Sequence, residues 1–365
     1  VKIKFPALPR SFDWSLYFIP ILLATSGIAT IYTITFFTGR NYLAFNQIIF
    51  AVIGLVLMIV FSFFDYRRLK DFSWPLYFIG FVLLLAVLIT GKQIYGSARW
   101  LEFGFFQLQP SEIFKIILII IVARFFAEKE IITWREILKF LLIISIPIVM
   151  VLRQPNFGNA LMLFIICAIL FFYSSAPKIY KWALVGITLI ASPIFWFFLE
   201  SYQKQRILNF FNPALDPHGA GYNVLQSKVA VGAGGIIGKG LGQGSQSILH
   251  FLPIAHTDFI YAGWAEATGF IGSFILLLLL AILIWRTFNI SFLARDRFGQ
   301  FIAIGIGTFW LFQILINISM NLGIMPVTGL PLPFVSYGGT ALVTAFLSAG
   351  ILQSIYIRHK KISFD

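Results

Sequence analysis

The sequence predicts an all-α polytopic membrane protein, and three observations carry the prediction. Of 365 residues, 59% are hydrophobic and 11% charged, whereas soluble domains run about 25% charged. Mean hydropathy is +0.90. The apolar residues fall in runs of the length a spanning helix needs, about 20 residues. No period-2 alternation competes with those runs, and backbone pairing inside lipid admits only helices or closed barrels. An ordinary soluble enzyme and a disordered chain are excluded. Ten such helices use about 200 residues. That leaves loops but no large soluble domain, so residues 1–365 read as a single integral membrane domain.

Ten spans are expected, near 14–36, 43–63, 73–90, 112–127, 136–152, 159–174, 179–199, 260–284, 299–319 and 336–357. The first follows Lys2, Lys4 and Arg10 without an A-x-A site, so it reads as a retained helix rather than a cleaved signal. The fourth and sixth are short. The seventh and eighth are separated by a long loop, 200–257. One set of connections carries Lys2, Lys4, Arg10, Arg67, Arg68, Lys70, Arg124, Lys129, Arg135, Lys139, Lys178, Lys181, Arg286, Arg295, Arg297, Arg358, Lys360 and Lys361. The other carries Arg40, Lys92, Arg99, Arg153, Lys204, Arg206, Lys228 and Lys239. Positive residues favour the cytoplasm, so both termini are expected there, as an even number of spans requires. The net charge of +13 is accounted for in the same way, and no nucleic-acid partner is expected. Cys167 is the single cysteine, which excludes an intramolecular disulfide.

Cytoplasmic connections are short. The outer ones, 91–111, 153–158, 200–257 and 318–335, are long or irregular, so chemistry is expected at the outer face. Five features stand out there. The stretch Val231–Gly244 is glycine-rich but fits neither a Walker A loop nor G-x-G-x-x-G. It is expected to be a tight re-entrant or interfacial loop, although its amides and Lys239 could meet a phosphate. Glu112 and Lys115 share one helix face at i, i+3, either as a structural ion pair or as a cavity wall facing a polar substrate. His256-Thr257-Asp258 sits where the long outer loop meets the eighth span. There Thr257 or Asp258 caps the helix, or Asp258 is a general base of raised pKa, with His256 orienting or solvating it. Glu266 is an intramembrane acid expected to pair with Lys115 or an outer-loop arginine. Residues 317–341, with Asn317, Asn321, Pro326, Pro331, Pro333 and Ser336-Tyr337-Gly338-Gly339, form either a packed re-entrant loop or a lip around a lipid head group.

These blocks together resemble the SEDS family (shape, elongation, division and sporulation proteins). The resemblance covers nearly the whole chain, with its blocks in family order. Gly96-Ser97-Ala98-Arg99-Trp100, then Gln109-Pro110-Ser111-Glu112 and Lys115, is similar to the family's outer loop and fourth helix. Asp216-Pro217, Gly221-Tyr222-Asn223, Gln226-Ser227 and the glycine stretch resemble its large loop. His256-Thr257-Asp258-Phe259 and Gly269-Phe270-Ile271-Gly272 resemble its eighth helix. The wording of 320–333 is closer to the RodA branch than to the FtsW branch. Three departures stand out: Asn156 replaces the acid of the family's QPDLGT, Ala267 a frequent second Glu, and Ala233 a Ser.

The resemblance implies a peptidoglycan glycosyltransferase that polymerises lipid II, an undecaprenyl-diphosphate-linked disaccharide-pentapeptide, at the outer face of the bacterial cytoplasmic (inner) membrane. It implies Asp258 as the catalytic residue. Implied partners are a class B penicillin-binding protein that cross-links the strands, the elongation machinery of rod-shaped cells, and membrane lipids. The substrate-binding candidates are Arg99, Gln109, Ser111, Glu112, Lys115, Lys228, Lys239, Thr257, Glu266 and Ser336. No cofactor is expected outright. A divalent cation, Mg or Mn, could accompany the diphosphate, but no ligand cluster with metal spacing is visible. Two rival readings, a lipid II flippase with Glu112, Lys115 and Glu266 along its path, and a scaffold of cell-wall enzymes, compete with catalysis.

Overall fold

A computed structural model describes residues 12–36, 39–91, 93–94, 97–104, 106–129, 131–212, 220–244, 246, 251–252 and 254–359. Lys2, Lys4, Arg10, Lys92, Gly96, Lys360, Lys361 and the Asp216-Pro217 step lie outside the described residues.

Each expected span coincides with a helix. They are α1 (Ser15–Phe36), α2 (Tyr42–Phe63), α3 (Arg68–Thr90), α4 (Pro110–Ala127), α5 (Trp134–Arg153), α6 (Phe157–Tyr173) and α7 (Lys178–Phe198). After the long loop come α10 (Ile260–Leu293), α11 (Arg297–Asn321) and α12 (Gly339–Ile357). Among the described residues, six helices (α1, α2, α3, α10, α11 and α12) are long and apolar enough to cross a membrane. α6 is apolar but shorter, while α4 carries Glu112, Lys115 and Arg124, and α5 carries Arg135, Glu136, Lys139 and Arg153. The loop 200–257 is not plain: it holds α8 (Ser201–Phe211) and α9 (Ala220–Ala233). The outer loop before α4 folds into two small hairpins, β1 (Gln93–Ile94) with β2 (Ser97–Ala98) and β3 (Leu101–Phe103) with β4 (Phe106–Leu108).

The eighth expected span differs most. α10 runs to Leu293, and at Gly269 its backbone leaves the helix (φ 67°, ψ −161°). At 1.5 Å per residue, 270–293 alone extends about 35 Å, enough for a hydrocarbon core of about 30 Å. The turns before Gly269 therefore belong to the outer-loop assembly. Three glycines make the junction. A Cβ on Gly234 would lie 2.1 Å from the Ala265 carbonyl oxygen, one on Gly238 2.3 Å from that of Ala267, and one on Gly269 2.3 Å from the Gly238 nitrogen. Phe270 and Ile271 then donate their amides to the Gly235 and Ile236 carbonyls. These contacts build a tight turn after the end of α9 at Ala233.

α11 and α12 form the buried centre. Trp310, Phe309 and Phe346 are buried, and so are Leu330, Leu332, Phe334 and Val335 of the loop between them. Trp310 and Phe346 each meet the Phe334 ring edge-on. The stretch 322–338 is thus a packed loop. It reaches deep enough that a Cβ on Gly27 of α1 would lie 2.2 Å from the Val335 carbonyl oxygen. α7 is peripheral, with Ile179, Trp182, Ile187, Leu189 and Ile190 exposed.

The described members of the two sets of basic residues lie on alternate connections between the long helices. Around the more basic end, Arg286 pairs with Asp13, Arg67 with Asp296 at 3.3 Å, Lys70 with Glu128 at 3.3 Å and Arg358 with Asp65 at 3.7 Å. Tyr66 also donates to Asp296 at 2.8 Å, and Asp296 accepts from the Gly299 amide at the start of α11.

Candidate active site

The other end gathers the N-termini of α4, α6, α10 and α12 and the C-terminus of α11 around Asp258. Neither Thr257 nor Asp258 caps α10: its N-cap is Phe259, without a side-chain cap bond. The capping alternative is therefore removed. Asp258 is half-buried, and among the described residues its carboxylate makes no hydrogen bond or ion pair. Burial pushes the carboxyl above the usual carboxylate range, and the charges of Arg206 and Arg99 act against that shift. On one side stands Gly329, at φ +74°, whose absent Cβ would be 3.6 Å from Asp258 Oδ2 and 4.0 Å from Arg206 Nη1.

The two arginines come from separate outer elements. Arg206 lies on α8, whose start is fixed by a reciprocal capping box between Glu200 and Gln203. Its Nη1 donates to the Val327 carbonyl at 3.2 Å. Arg99 follows β2 and donates from Nη2 to the Pro155 carbonyl. Between them is a cavity of ≈ 40 Å³, lined also by Phe157, Gln203, Pro326 and Thr328. By the usual 10–15 Å³ per site that is room for a few waters. The sequence places Arg206 only among the outer cations, because an arginine on an amphipathic loop helix carries no motif.

Behind Asp258 the backbone is held by amides. Asn317 and Asn321, both buried, donate to the Asp258 carbonyl at 3.0 Å each. Ser336 Oγ donates to the Thr257 carbonyl at 2.8 Å and accepts from the Leu332 amide at 2.7 Å. The Tyr337 amide donates to the His256 carbonyl at 2.9 Å, and the two rings meet edge-on at 5.7 Å. Gln47 of α2, fully buried and unmarked in the sequence, donates to the Ser336 carbonyl at 3.0 Å.

The remaining candidates divide. Glu112 and Lys115 are fully buried and bonded at 2.8 Å, with Lys115 also donating to Gln313 Oε1 at 3.0 Å and lying over Phe309. This is the internal ion pair, not an open wall. Ser111 Oγ accepts from Asn156 Nδ2 at 3.3 Å and Asn159 Nδ2 at 3.2 Å. Asn156 Oδ1 also accepts from the Asn159 amide at the start of α6. The amide that replaces the family's acid thus both caps a helix and donates, and a carboxylate could only do the first. The Gln109 amide donates to Thr340 Oγ1 at 3.1 Å, tying α4 to α12. The partner found for Glu266 among the described residues is Lys239, at 3.4 Å, rather than the expected Lys115 or an outer-loop arginine, and Glu266 also accepts from the Gln246 main-chain amide at 2.9 Å, because the break at Gly269 holds it against the glycine loop. Lys228 is exposed, lies over Gly323, and has no hydrogen-bond or ion partner among the described residues. No group of three His, Cys, Asp or Glu able to hold a metal occurs among the described residues.

The fold and this end of it define a polytopic helical membrane protein in which the Asp258 carboxylate, unbonded among the described residues, feels the charges of Arg206 and Arg99. Residues 11–361 match the family model FtsW/RodA/SpoVE, described as cell cycle protein, and the chain belongs to that family. It is 39% identical over 317 residues to the peptidoglycan glycosyltransferase MrdB of Escherichia coli K12, covering 85% of this chain and 84% of that protein. It is 34% identical over 354 residues to the stage V sporulation protein E of Bacillus subtilis, covering 94% and 96%. Among solved structures it superposes on a chain of a peptidoglycan synthase complex described as coordinating polymerization and crosslinking, at TM-score 0.80 and 27% identity over 95% of this chain and 98% of that one. The rod shape determining protein RodA of Thermus thermophilus follows at TM-score 0.71 and 25% identity, over 95% and 96%.

Proposed function

We propose that this chain is a peptidoglycan glycosyltransferase that polymerises lipid II into glycan strands at the outer face of the bacterial cytoplasmic membrane, with Asp258 as general base. The activity named for its relatives supports the reaction class. The observation that carries the role of Asp258 is its carboxylate: partly withdrawn from water, unbonded among the described residues, and faced by Arg99 and Arg206. A structural aspartate at this position would be expected to cap α10 or close an ion pair.

Asp258 takes the proton of the acceptor's GlcNAc 4-hydroxyl as that oxygen attacks the anomeric carbon of the donor MurNAc. The bond from that carbon to the diphosphate oxygen breaks, undecaprenyl diphosphate leaves, and the α linkage becomes β by a single inversion. General-base help of this kind contributes about 10²–10⁴-fold. Arg99, Arg206 and the exposed Lys228 offer positive charge to the leaving diphosphate. A divalent cation, Mg or Mn, accompanying the diphosphate is compatible with this reading, and no step here depends on it. Lys239 is held by Glu266, which leaves it a lesser candidate for the diphosphate. The pairing of Glu112 with Lys115 and of Glu266 with Lys239 argues against a transport path through these residues.

A class B penicillin-binding protein as cross-linking partner, within the machinery of cell elongation and shape, fits the coupling of polymerization to crosslinking in the synthase-complex neighbour. The excess of Lys and Arg at the end away from Asp258 supports a cytoplasmic placement of both termini.

The test is a lipid II polymerisation assay with the purified chain, alone and with that partner, read as a glycan ladder, beside Asp258→Asn and with lipid II binding measured for both. A ladder from wild type only, with binding retained in the variant, is expected. A ladder from both returns Asp258 to a structural role. None from either, with lipid II bound, removes the enzyme reading.

A further inference from the structure

Three side-chain amides line one stripe of α11: Gln313, Asn317 and Asn321, at intervals of four residues. All three are buried, at 2%, 0% and 0% exposure. An amide in an apolar helix is costly unless every donor is used, and here the donors converge. Asn317 Nδ2 donates to the Asp258 carbonyl at 3.0 Å and to the Leu330 carbonyl at 2.8 Å. Asn321 Nδ2 donates to the same Asp258 carbonyl at 3.0 Å and to the Asn317 carbonyl at 2.8 Å, while its Oδ1 accepts from the Ala262 amide at 3.1 Å. Gln313 Nε2 donates to the Pro331 carbonyl at 2.7 Å, and its Oε1 accepts from Lys115.

The bland account is that buried carbonyls need donors. That explains the bonds one by one but not their pattern. A carbonyl oxygen has two acceptor positions, and those of Asp258 are both taken by α11 amides. The amino group of Asn317 that holds one of them also holds Leu330, the residue after Gly329, and Gly329 stands beside the Asp258 carboxylate. One amino group therefore bridges the main chain of the acid and the main chain of the wall beside it. Ser336 Oγ and the Tyr337 amide hold the carbonyls of Thr257 and His256, and the carbonyl of the acid itself is held by Asn317 and Asn321. Small misplacements of a reacting group are expensive: about 1 Å can cost 10²-fold in rate.

We infer that Asn317 and Asn321 are positioning residues of the transferase reaction, which hold the Asp258 carboxylate at its working distance from the 329–331 wall through the Asp258 main chain. Gln313 anchors the same wall one turn away and ties it to the buried Glu112–Lys115 pair. The inference rests on Asp258 being the general base.

The test uses the full chain in nanodiscs with its penicillin-binding partner, and lipid II as substrate. Asn317→Leu keeps the volume and removes the donor; Asn321→Ala is a second, independent variant should Asn317→Leu fail to accumulate. For each, kcat and KM are measured, with Asp258→Asn in parallel. The expected result is a kcat lowered 10–100-fold with KM within twofold of wild type. Two results overturn the inference: a kcat within twofold of wild type in the variants, or a KM rise that accounts for the whole loss, which would make the amides part of substrate binding. The parallel variant separates the two failures. An active Asp258→Asn removes the base itself, whereas an inactive Asp258→Asn beside fully active asparagine variants removes only the positioning role.

Discussion

At the scale of single residues, the acid is the expensive group. Asp258 is held above its ordinary pKa by burial, so its ionised form is disfavoured in the folded protein relative to the unfolded chain. Folding stability from this group is highest when it is protonated. It falls as pH rises from the unfolded value, about 3.9, through the raised folded value, and is constant beyond. Asp258→Asn is therefore expected to lose turnover while melting at a slightly higher temperature than wild type at neutral pH, with the gain disappearing in acid; thermal melts across pH check this. With Asp258 as the proposed general base, turnover calls for the ionised form, so the rate should rise with pH through the raised pKa. Its acid limb should lie above that of an ordinary aspartate, as a kcat profile would show. Gly329 is the second sensitive position. A Cβ there has ordinary contact distances to Asp258 and Arg206 but must adopt φ +74°, so Gly329→Ala is expected to cost about 1–2 kcal/mol of stability, read as a lower melting temperature. Asp258 drew notice in the sequence because charge is conspicuous where a loop meets an apolar run, although that position alone left helix capping open and the family resemblance supplied the catalytic reading. Gln47 and Gln313 were not, since each addresses backbone carbonyls hundreds of residues or a loop away, and such bonds need no spacing motif.

At the scale of elements, hydropathy located every long helix because burial in lipid is a property of composition over a window. It did not locate the break in α10, which depends on one dihedral at Gly269, nor α8 and α9, whose sequences are too polar to register as spans. The same break explains why Glu266, read as an isolated acid inside the membrane, instead finds Lys239. Gly269→Ala must fit a Cβ 2.3 Å from the Gly238 nitrogen at φ +67°, so it is expected to destabilise by more than about 4 kcal/mol, visible as loss of monodisperse protein on size-exclusion chromatography. For α4, removing one member of the fully buried pair strands a charge. Lys115→Met alone is expected to cost about 3–5 kcal/mol, and Glu112→Gln in the same chain to recover most of it; melting temperatures of the single and double variants decide.

For the whole molecule, the ends are held by different chemistry. Ion pairs gather at the more basic end, whereas around Asp258 neutral amide-to-carbonyl bonds work beside the Lys239–Glu266 pair and the arginine-to-carbonyl bonds. The distribution of Lys and Arg announced the two ends, because orientation is a sum over many residues. The bonds that join the helices at each end could not be read, because each depends on helix rotation. Orientation can be checked directly. With the buried Cys167 as the one native cysteine, Lys239→Cys should react with an impermeant maleimide from the cell exterior, and Lys139→Cys only after the membrane is opened.

The pairing of Arg286 with Asp13, 273 positions apart, also governs how the chain is made. At about 5–20 residues per second, α1 leaves the ribosome roughly 15–55 s before its ionic partner exists. Gln47 waits longer still for Ser336, 289 residues downstream. The earliest helices must therefore sit in the bilayer with these polar groups unmatched until synthesis is nearly finished. A chain interrupted before residue 336 should remain an open, protease-sensitive collection of helices rather than a smaller version of the fold.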